Sequence, residues 1–335
     1  MLIHFKMSVC LICSGTAFAR LASSERLDEE CRIRGSFVRQ RLSHPVSPAE
    51  SKDLTDFFHA EKAHIDECET CSLLIRSEDE RPPAGEYSAD EYDPEVIERE
   101  YPEYVAAFRR KEVPYRRLLA AGARVLEVGS HYGAFLQVAA EWGWRAEGVD
   151  VGKDTTSFAS SKGFAVQRVE LQDAPFPDEA FDAIFIWNCF EQIEEPQPVL
   201  QACVRLLRPG GLLTVRTPNG LFYSICQSLL RDANLNSETQ QFIIDAMGYN
   251  NLLGFPYLYG HNRATLQRFI EPYGFRVEGF LNSELLTLPV PDKSRAVKEE
   301  ERTINTEIRM LANFIIADNA GVLTGPWIEV WFRRQ

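Results

Sequence analysis

The sequence predicts an α/β fold: a doubly wound parallel sheet covered by helices on both faces, with a small cysteine-bearing element ahead of it. Three observations predict it. Short apolar runs alternate with helical stretches from Gly122 onwards, a glycine turn follows the first of those runs, and two Cys-x-x-Cys pairs precede Arg81. The chain has 335 residues, 45% of them hydrophobic and 11% aromatic, enough to bury a sizeable core.

The N-terminal element is expected over residues 1–80. Cys10-Leu-Ile-Cys13 and Cys68-Glu-Thr-Cys71 supply four thiolates, enough for a closed tetrahedral zinc site in which each pair points both sulfurs at one metal. Such a site has no open position, so its role is structural. Cys31 or His64 is an alternative to one of the four ligands. A competing reading takes Lys6, the apolar MSVCLICSGTAFA and Ala17-Phe18-Ala19 as a secretory signal with its cleavage site. Ser14, Gly15 and Thr16 break that apolar stretch, and its cysteines sit at ligand spacing with a matching pair downstream, which favours metal. Thiols kept reduced beside a metal site predict a cytoplasmic protein.

Residues 81–105 read as an acidic linker. Prolines and the acids Glu86, Asp90, Glu91, Asp93, Glu95, Glu98, Glu100 and Glu103 are opposed there only by Arg81 and Arg99. Tyr87, Tyr92, Tyr101 and Tyr104 give the same segment a second use, as aromatic covers over a pocket in the next domain.

The main domain is expected over 106–335. ARVLEVG is a buried strand, AFLQVAAEWG a helix, RAEGVD a strand and TTSFASSKG a helix ended by glycine. FAVQRVE, FDAIFIW, QPVLQACVRLLRPGG and LLTVRTP continue the alternation. Residues 219–260 exceed an ordinary connection and predict a mostly helical insertion at the carboxyl edge of the sheet. RATLQRFIEPYGF gives another helix and RVEGFLN a strand. A charged helix from Lys298 to Ala317 then leads to a last strand in GPWIEVWFRR, the seventh.

The chemistry concentrates at the first turn. VLEVG runs into Gly129-Ser130-His131-Tyr132-Gly133, where residues without Cβ let the backbone turn sharply and leave room for a ligand. About twenty residues on, Asp150 ends the second strand with Val151 beside it, a place from which a carboxylate reaches the two hydroxyls of a ribose. A nicotinamide dinucleotide turn needs a middle glycine for its pyrophosphate. His131 stands at that position, and Glu127 adds a negative charge that suits a cationic ligand better than a phosphate.

On these residues the chain resembles the class I S-adenosylmethionine-dependent methyltransferases, from about Arg116 to Phe280. EVGSHYG is similar to the family's first motif, and Asp150 falls on its ribose-binding acid. VELQDAPFPDEAFDAIF is similar to the segment that reads adenine, which implies Glu170 and the backbone of Leu171 in that role. WNCFEQIEEPQPVLQACVRLLRPGGLLTVRTPN resembles the family's fourth strand, helix and fifth strand. The resemblance implies a Rossmann-like seven-stranded sheet with S-adenosylmethionine held by Glu127, Gly129, His131, Gly133, Asp150, Val151, Glu170, Leu171, Trp187 and Asn188. Two positions depart from the family: His131 replaces the middle glycine, and Gln192 stands where relatives often carry histidine.

Methyl transfer from a sulfonium requires a held nucleophile and, for OH or CH acceptors, removal of a proton. His261 is the first candidate base, because histidine titrates nearest neutrality; its alternative is a packing or capping role. Glu191 and Glu194 are acid candidates that equally suit a helix start, and Asn219 is placed to orient substrate by its amide. Cys189, Cys203 and Cys226 read as buried small hydrophobes.

With 36 Lys+Arg against 49 Asp+Glu, a formal charge of −13 repels phosphate backbones and acidic membranes, so neither nucleic acid nor membrane is expected as a partner. No apolar run reaches the ~20 residues of a spanning helix. A cysteine element ahead of such a core resembles bacterial enzymes that methylate sugar nucleotides and related metabolites, which implies a small-molecule acceptor and leaves O, N and C methylation open. The alternative is a scaffold that keeps the fold without catalysis, motivated by His131 and Gln192.

Overall fold

The computed structural model describes residues 3–5, 9–41, 63–81, 94–255, 258–285, 294–314 and 325–335. About half of the expected linker, including Glu86, Tyr87, Asp90, Glu91, Tyr92 and Asp93, lies outside the described residues. The chain divides into two compact units that interleave in sequence. One comprises Met1–Pro83, Pro218–Leu266 and Leu281–Ile328, the other Ala84–Thr217, Gln267–Phe280 and Glu329–Gln335.

In the first unit, strands β1 (Ile3–Phe5), β2 (Phe18–Ala22), β3 (His64–Cys68) and β4 (Leu74–Arg81) form a sheet in the order β1-β4-β3-β2. The short tail from Cys68 to Leu74 makes β3 and β4 an antiparallel hairpin, with Glu67 opposite Leu74. The helix α1 (Ser24–Arg41) buries Leu27, Glu30, Cys31, Phe37 and Val38, a spacing of three and four residues that defines one face. Glu30 is tolerated there because Tyr223 Oη (3.0 Å), Gln227 Nε2 and the Gly254 N–H (2.9 Å) all donate to it.

The helical stretch expected after Pro218 belongs to this unit. It contains helices that, following α2 (Pro94–Arg109), α3 (Glu112–Leu118), α4 (Ala134–Glu141), α5 (Lys153–Ser161) and α6 (Pro196–Leu206), are numbered α7 (Gly220–Leu230) and α8 (Ser237–Tyr249). Asn219 and Asn236 cap them, accepting from the N–H groups of Leu221 (3.1 Å) and Thr239 (2.9 Å). Helix α9 (Arg263–Ile270) and the long α10 (Arg295–Phe314) follow. Phe222, Tyr223, Met247, Leu252, Phe255 and Ile308 form a core with Leu27 and Ile65.

The second sheet is built from β5 (Arg124–Val128), β6 (Arg145–Asp150), β7 (Ala165–Arg168), β8 (Phe181–Trp187), β9 (Leu207–Pro218), β11 (Phe275–Ser283) and β12 (Trp327–Arg334); the two-residue β10 (Tyr259–Gly260) pairs with β4 in the first sheet. Its order is β11-β12-β9-β8-β5-β6-β7, seven strands as expected. The ladders β7-β6-β5-β8-β9 are parallel. A parallel strand covered on both faces reads as continuous hydrophobe, and in β8 Phe181, Ala183, Ile184, Phe185 and Ile186 are all wholly buried. Each large side chain among them contributes about 1.5–3 kcal/mol by leaving water.

β9 begins five residues ahead of the LLTVRTP pattern. Pro209 cannot continue the ladder and Gly210 takes φ +73°, so α6 stops at Leu206 and the chain bulges, Phe181 facing Leu207 but Ala183 facing Leu212. The strand order reverses between β5 and β8: from β5 the chain moves outward through β6 and β7, then crosses back to β8. Open α/β sheets hold ligands at the carboxyl ends of the strands flanking such a point. None of the described helices is long and apolar enough to cross a membrane.

Candidate functional site

At the carboxyl end of β5 the backbone makes the expected sharp turn. Val149 O accepts from both Gly129 N–H (2.9 Å) and Ser130 N–H (3.1 Å), and Gly133 N–H closes the turn on Ser130 O at 2.8 Å. Gly129 and Gly133 lie at φ +69° and +75°. A Cβ at Gly129 would stand 2.8 Å from Cys189 Sγ, and one at Gly133 2.7 Å from Phe164 Cδ2, so side chains are excluded at both by contact as well as by conformation.

His131, in the middle position, also occupies the left-handed region at φ +48°. Its ring lies 3.6 Å from that of Tyr132 and 5.9 Å from that of Tyr104, centre to centre, and its N–H donates to Asp150 Oδ2 at 2.7 Å. The other oxygen of Asp150 accepts from Gly152 N–H (2.8 Å) and Thr155 Oγ1 (3.2 Å). The acid and the glycine turn, separate signals in the sequence, are thus one hydrogen-bonded construction. Val151, next along, is exposed.

Glu127 is buried, and its Oε2 has no hydrogen-bond partner. Burial, and then the charge of Asp150, push its carboxyl well above the usual carboxylate range. Burial also drives the Cys189 thiol well up, with the carboxylates of Glu191, Asp150 and Glu127 adding to it.

β8 delivers the next two residues. Trp187 stacks on Phe185 (5.6 Å between centres, 9° between planes), and its indole N–H is buried without a hydrogen-bond partner. Asn188 turns the chain at φ +56°. Beyond it Glu191 is completely buried; desolvation pushes its pKa up to about 7, while its own backbone, Thr217, Gln192 and the charge of Arg216 pull the other way. Glu170 opens a short turn, its carbonyl accepting from Asp173 N–H at 3.1 Å, and Leu171 is buried behind it.

Glu127, Gly129, His131, Gly133, Asp150, Val151, Glu170, Leu171, Trp187 and Asn188 all belong to the second unit. His261 belongs to the first. It is completely buried, and burial pulls its pKa down to about 3, so the imidazole is neutral and weakly basic. Asn219, with its oxygen on the cap of α7, donates its amide N–H to Gly325 O at 2.8 Å.

Also in the first unit, all four expected sulfurs converge. Cys10, Cys13, Cys68 and Cys71 place their Sγ atoms within 4.8 Å of one another, with Cys10–Cys71 at 3.6 Å and Cys13–Cys68 at 3.5 Å. The two pairs are built alike: Ser14 N–H returns to Cys10 O (2.9 Å) and Ser72 N–H to Cys68 O (2.8 Å), with Ser14 and Ser72 at φ +58° and +59°. Four thiolates at the ~2.3 Å bond length of zinc stand roughly 3.8 Å apart, so the set fits a tetrahedral ion. The hydrogen bond between Cys10 and Cys71 pulls the Cys10 thiol down to about 5 and pushes the Cys71 thiol up, as two sulfurs sharing one proton do. Cys31 lies on α1, and His64 pairs with Asp66 at 3.2 Å.

The sequence did not reveal an ionic network centred on the buried pair Arg216 and Glu329. Arg216 on β9 meets Glu329 on β12 at 3.3 Å, and Glu329 also takes Lys111 and the Tyr115 hydroxyl (2.8 Å). Arginine in an apolar strand was its one available signal.

Fold and turn together place the glycine turn and Asp150 at the switch point of a seven-stranded doubly wound sheet. Residues 97–278, more than half of the chain, match the methyltransferase domain model, and the chain belongs to the S-adenosylmethionine-dependent methyltransferase family. A Mycolicibacterium smegmatis protein named probable S-adenosylmethionine-dependent methyltransferase is 31% identical over 179 residues, which are 52% of this chain and 61% of that one. A demethylmenaquinone methyltransferase of Tropheryma whipplei is 33% identical over 101 residues, 29% of this chain and 42% of the relative. The chain thus spans less than two thirds of the length of these curated relatives. A solved methyltransferase from Archaeoglobus fulgidus superimposes with a TM-score of 0.44 at 21% identity, over 72% of this chain and all (100%) of that one.

Proposed function

We propose that this protein transfers the methyl group of S-adenosylmethionine to a small-molecule acceptor, a sugar nucleotide or related metabolite, and that its four-cysteine cluster holds a structural zinc ion. The observation that carries the donor reading is Glu127, a buried carboxyl with an unpartnered oxygen beside Asp150 and the glycine turn. A buried acid without a partner is costly unless a cation completes it. S-adenosylmethionine brings an ammonium group and an electrophilic methyl carbon on a positively charged sulfur.

In this reading Glu127 faces the positive end of the donor, and Asp150, already oriented by His131 and Gly152, accepts from the ribose hydroxyls. Glu170 and the Leu171 N–H read adenine, Trp187 and Asn188 line the methyl end, and His131 and Val151 wall the pocket. The acceptor's nucleophilic atom takes the methyl, the sulfur keeps the bonding electron pair, and the acceptor's proton leaves to a base. Of the two buried candidates for that base, only Glu191 lies in the same unit as the donor residues. Glu191, at about 7, is poised near neutrality, whereas His261, at about 3, has little affinity for a proton unless the acceptor raises it.

Titration calorimetry with S-adenosylmethionine, and separately with its demethylated product, tests the donor site, with zinc measured on the same sample. Micromolar binding that is lost in Asp150→Ala supports the reading. A folded, zinc-replete protein that binds neither compound overturns it. Transfer from labelled donor to a panel of sugar nucleotides and quinone precursors then identifies the acceptor class.

A further inference from the structure

We infer that Arg216 is a positioning residue for the donor: it holds Asn188 in its left-handed conformation at the end of β8, and Glu329 holds Arg216. The inference rests on the donor reading for Asn188. The geometry is a two-point clamp. Strand pairing sets Trp187 opposite Arg216, and one residue on the Asn188 N–H donates to Arg216 O at 3.0 Å. From the other direction the Arg216 guanidinium donates through Nη1 to Asn188 Oδ1. Asn188 is therefore gripped at both its backbone and its side chain by one residue, while its carbonyl accepts from Gln192 Nε2 at 3.0 Å.

The conformation held is one that the chain does not adopt without help. Asn188 sits at φ +56°, where a non-glycine residue is strained, although asparagine tolerates the region better than most. It leads into the turn containing Cys189, whose Sγ rests against the Gly129 turn, so a change in Asn188 reaches both walls of the proposed donor pocket.

Arg216 is itself immobilised. It is completely buried, and burial pulls its pKa down, opposed first by the charge of Glu329. Glu329, likewise buried, is pushed up by desolvation, but Lys111 and Arg216 hold it below the usual carboxylate range. Lys111, just ahead of α3, shares Glu329 Oε1 with Arg216, Tyr115 on α3 donates to Oε2, and Trp331 Nε1 donates to the Tyr115 hydroxyl at 3.1 Å. Replacing such a network by apolar side chains of equal volume is often neutral or stabilising. Its presence beside Trp187 and Asn188 is accounted for by the geometry it imposes on them.

The test is a double-mutant cycle read by donor affinity. Arg216→Lys keeps the charge facing Glu329 but lacks the fork that reaches Asn188; Asn188→Ala removes the acceptor. Each alone is expected to weaken binding of S-adenosylmethionine and of its demethylated product about tenfold, and the double variant no more than Asn188→Ala alone. Amide hydrogen exchange over residues 187–193, measured without donor, is expected to speed up in Arg216→Lys, with other segments unchanged. Should Arg216→Lys fail to fold, the charge-neutral pair Arg216→Met with Glu329→Gln takes its place and is expected to give the same loss. Unchanged affinity in a folded Arg216 variant, losses that multiply in the double variant, or unaltered exchange at 187–193 overturns the inference. Absence of donor binding in the wild-type protein instead overturns the donor reading, and the exchange measurement then still reports on the clamp itself.

Discussion

Replacing Gly129 by alanine tests the central construction with the fewest assumptions. At φ +69° any Cβ carries a conformational cost of roughly 1–2 kcal/mol. The new methyl also stands 2.8 Å from Cys189 Sγ and 3.3 Å from Cys189 Cβ. Cys189 cannot retreat freely, because its Sγ contacts Val128 O at 3.4 Å and the residue follows the strained Asn188. Overpacking of this kind adds about 1–3 kcal/mol. The expected loss is about 2–5 kcal/mol of unfolding free energy, measured by urea denaturation of the whole chain. Cys189→Ala removes the sulfur and leaves only the conformational cost and the longer Cβ contact. The two substitutions should therefore couple favourably by about 1–3 kcal/mol. An alanine variant within 0.5 kcal/mol of wild type, or a strictly additive cycle, would refute the idea that Cys189 and the turn are packed to exclude a side chain.

Further outcomes follow from the same structure. Asp150→Asn keeps the size of the side chain but loses the charge that accepts from His131 and Gly152, and calorimetry should show donor affinity falling about tenfold or more. If Glu191 is the base, the turnover rate rises with pH through about 7 and is low and flat in Glu191→Gln; a rate independent of pH from 5 to 9 points away from it. The same raised pKa acts on stability. Its contribution is fully present below the unfolded value near 4.5 and is lost as pH rises through about 7, on the order of 3 kcal/mol in all. Glu191→Gln should remove that part of the decline in unfolding free energy between pH 5 and 8. Metal analysis should find one zinc per chain, and Cys71→Ser should lose both the zinc and the first unit's resistance to proteolysis; full zinc retention would count against the four-sulfur site.

Some of this protein could be read directly from the order of its residues. Local periodicity distinguished strands from helices, because β8 runs through apolar residues without a break after Asp182 while α6 spaces them by three and four. The glycine turn was visible because only residues lacking a Cβ fit where Cys189 and Phe164 approach. The four-cysteine cluster was visible because each pair is a local knuckle whose spacing is set by one turn of backbone. The end of α6 was less legible: the apolar pattern runs on through Leu207, and only the proline and glycine that follow mark the bulge.

Tertiary structure decided what depends on strand order and burial. Arg216, Glu329 and the Lys111–Tyr115 segment lie far apart in the chain, and no spacing rule joins them; they meet because β12 pairs beside β9 and Lys111 and Tyr115 reach Glu329. Burial likewise separated the candidate bases. An exposed histidine titrates nearer neutrality than an exposed glutamate, but desolvation penalises the charged form of each, moving His261 down to about 3 and Glu191 up to about 7. The division into two units also followed from long-range packing, since the residues after Pro218 join the N-terminal sheet through Leu74, opposite Gly260, and through a core that includes Leu27 and Ile65. Sequence pattern is sufficient wherever the physical constraint is local. The charge state of a buried group, and the company it keeps, are set by elements that only the folded chain brings together.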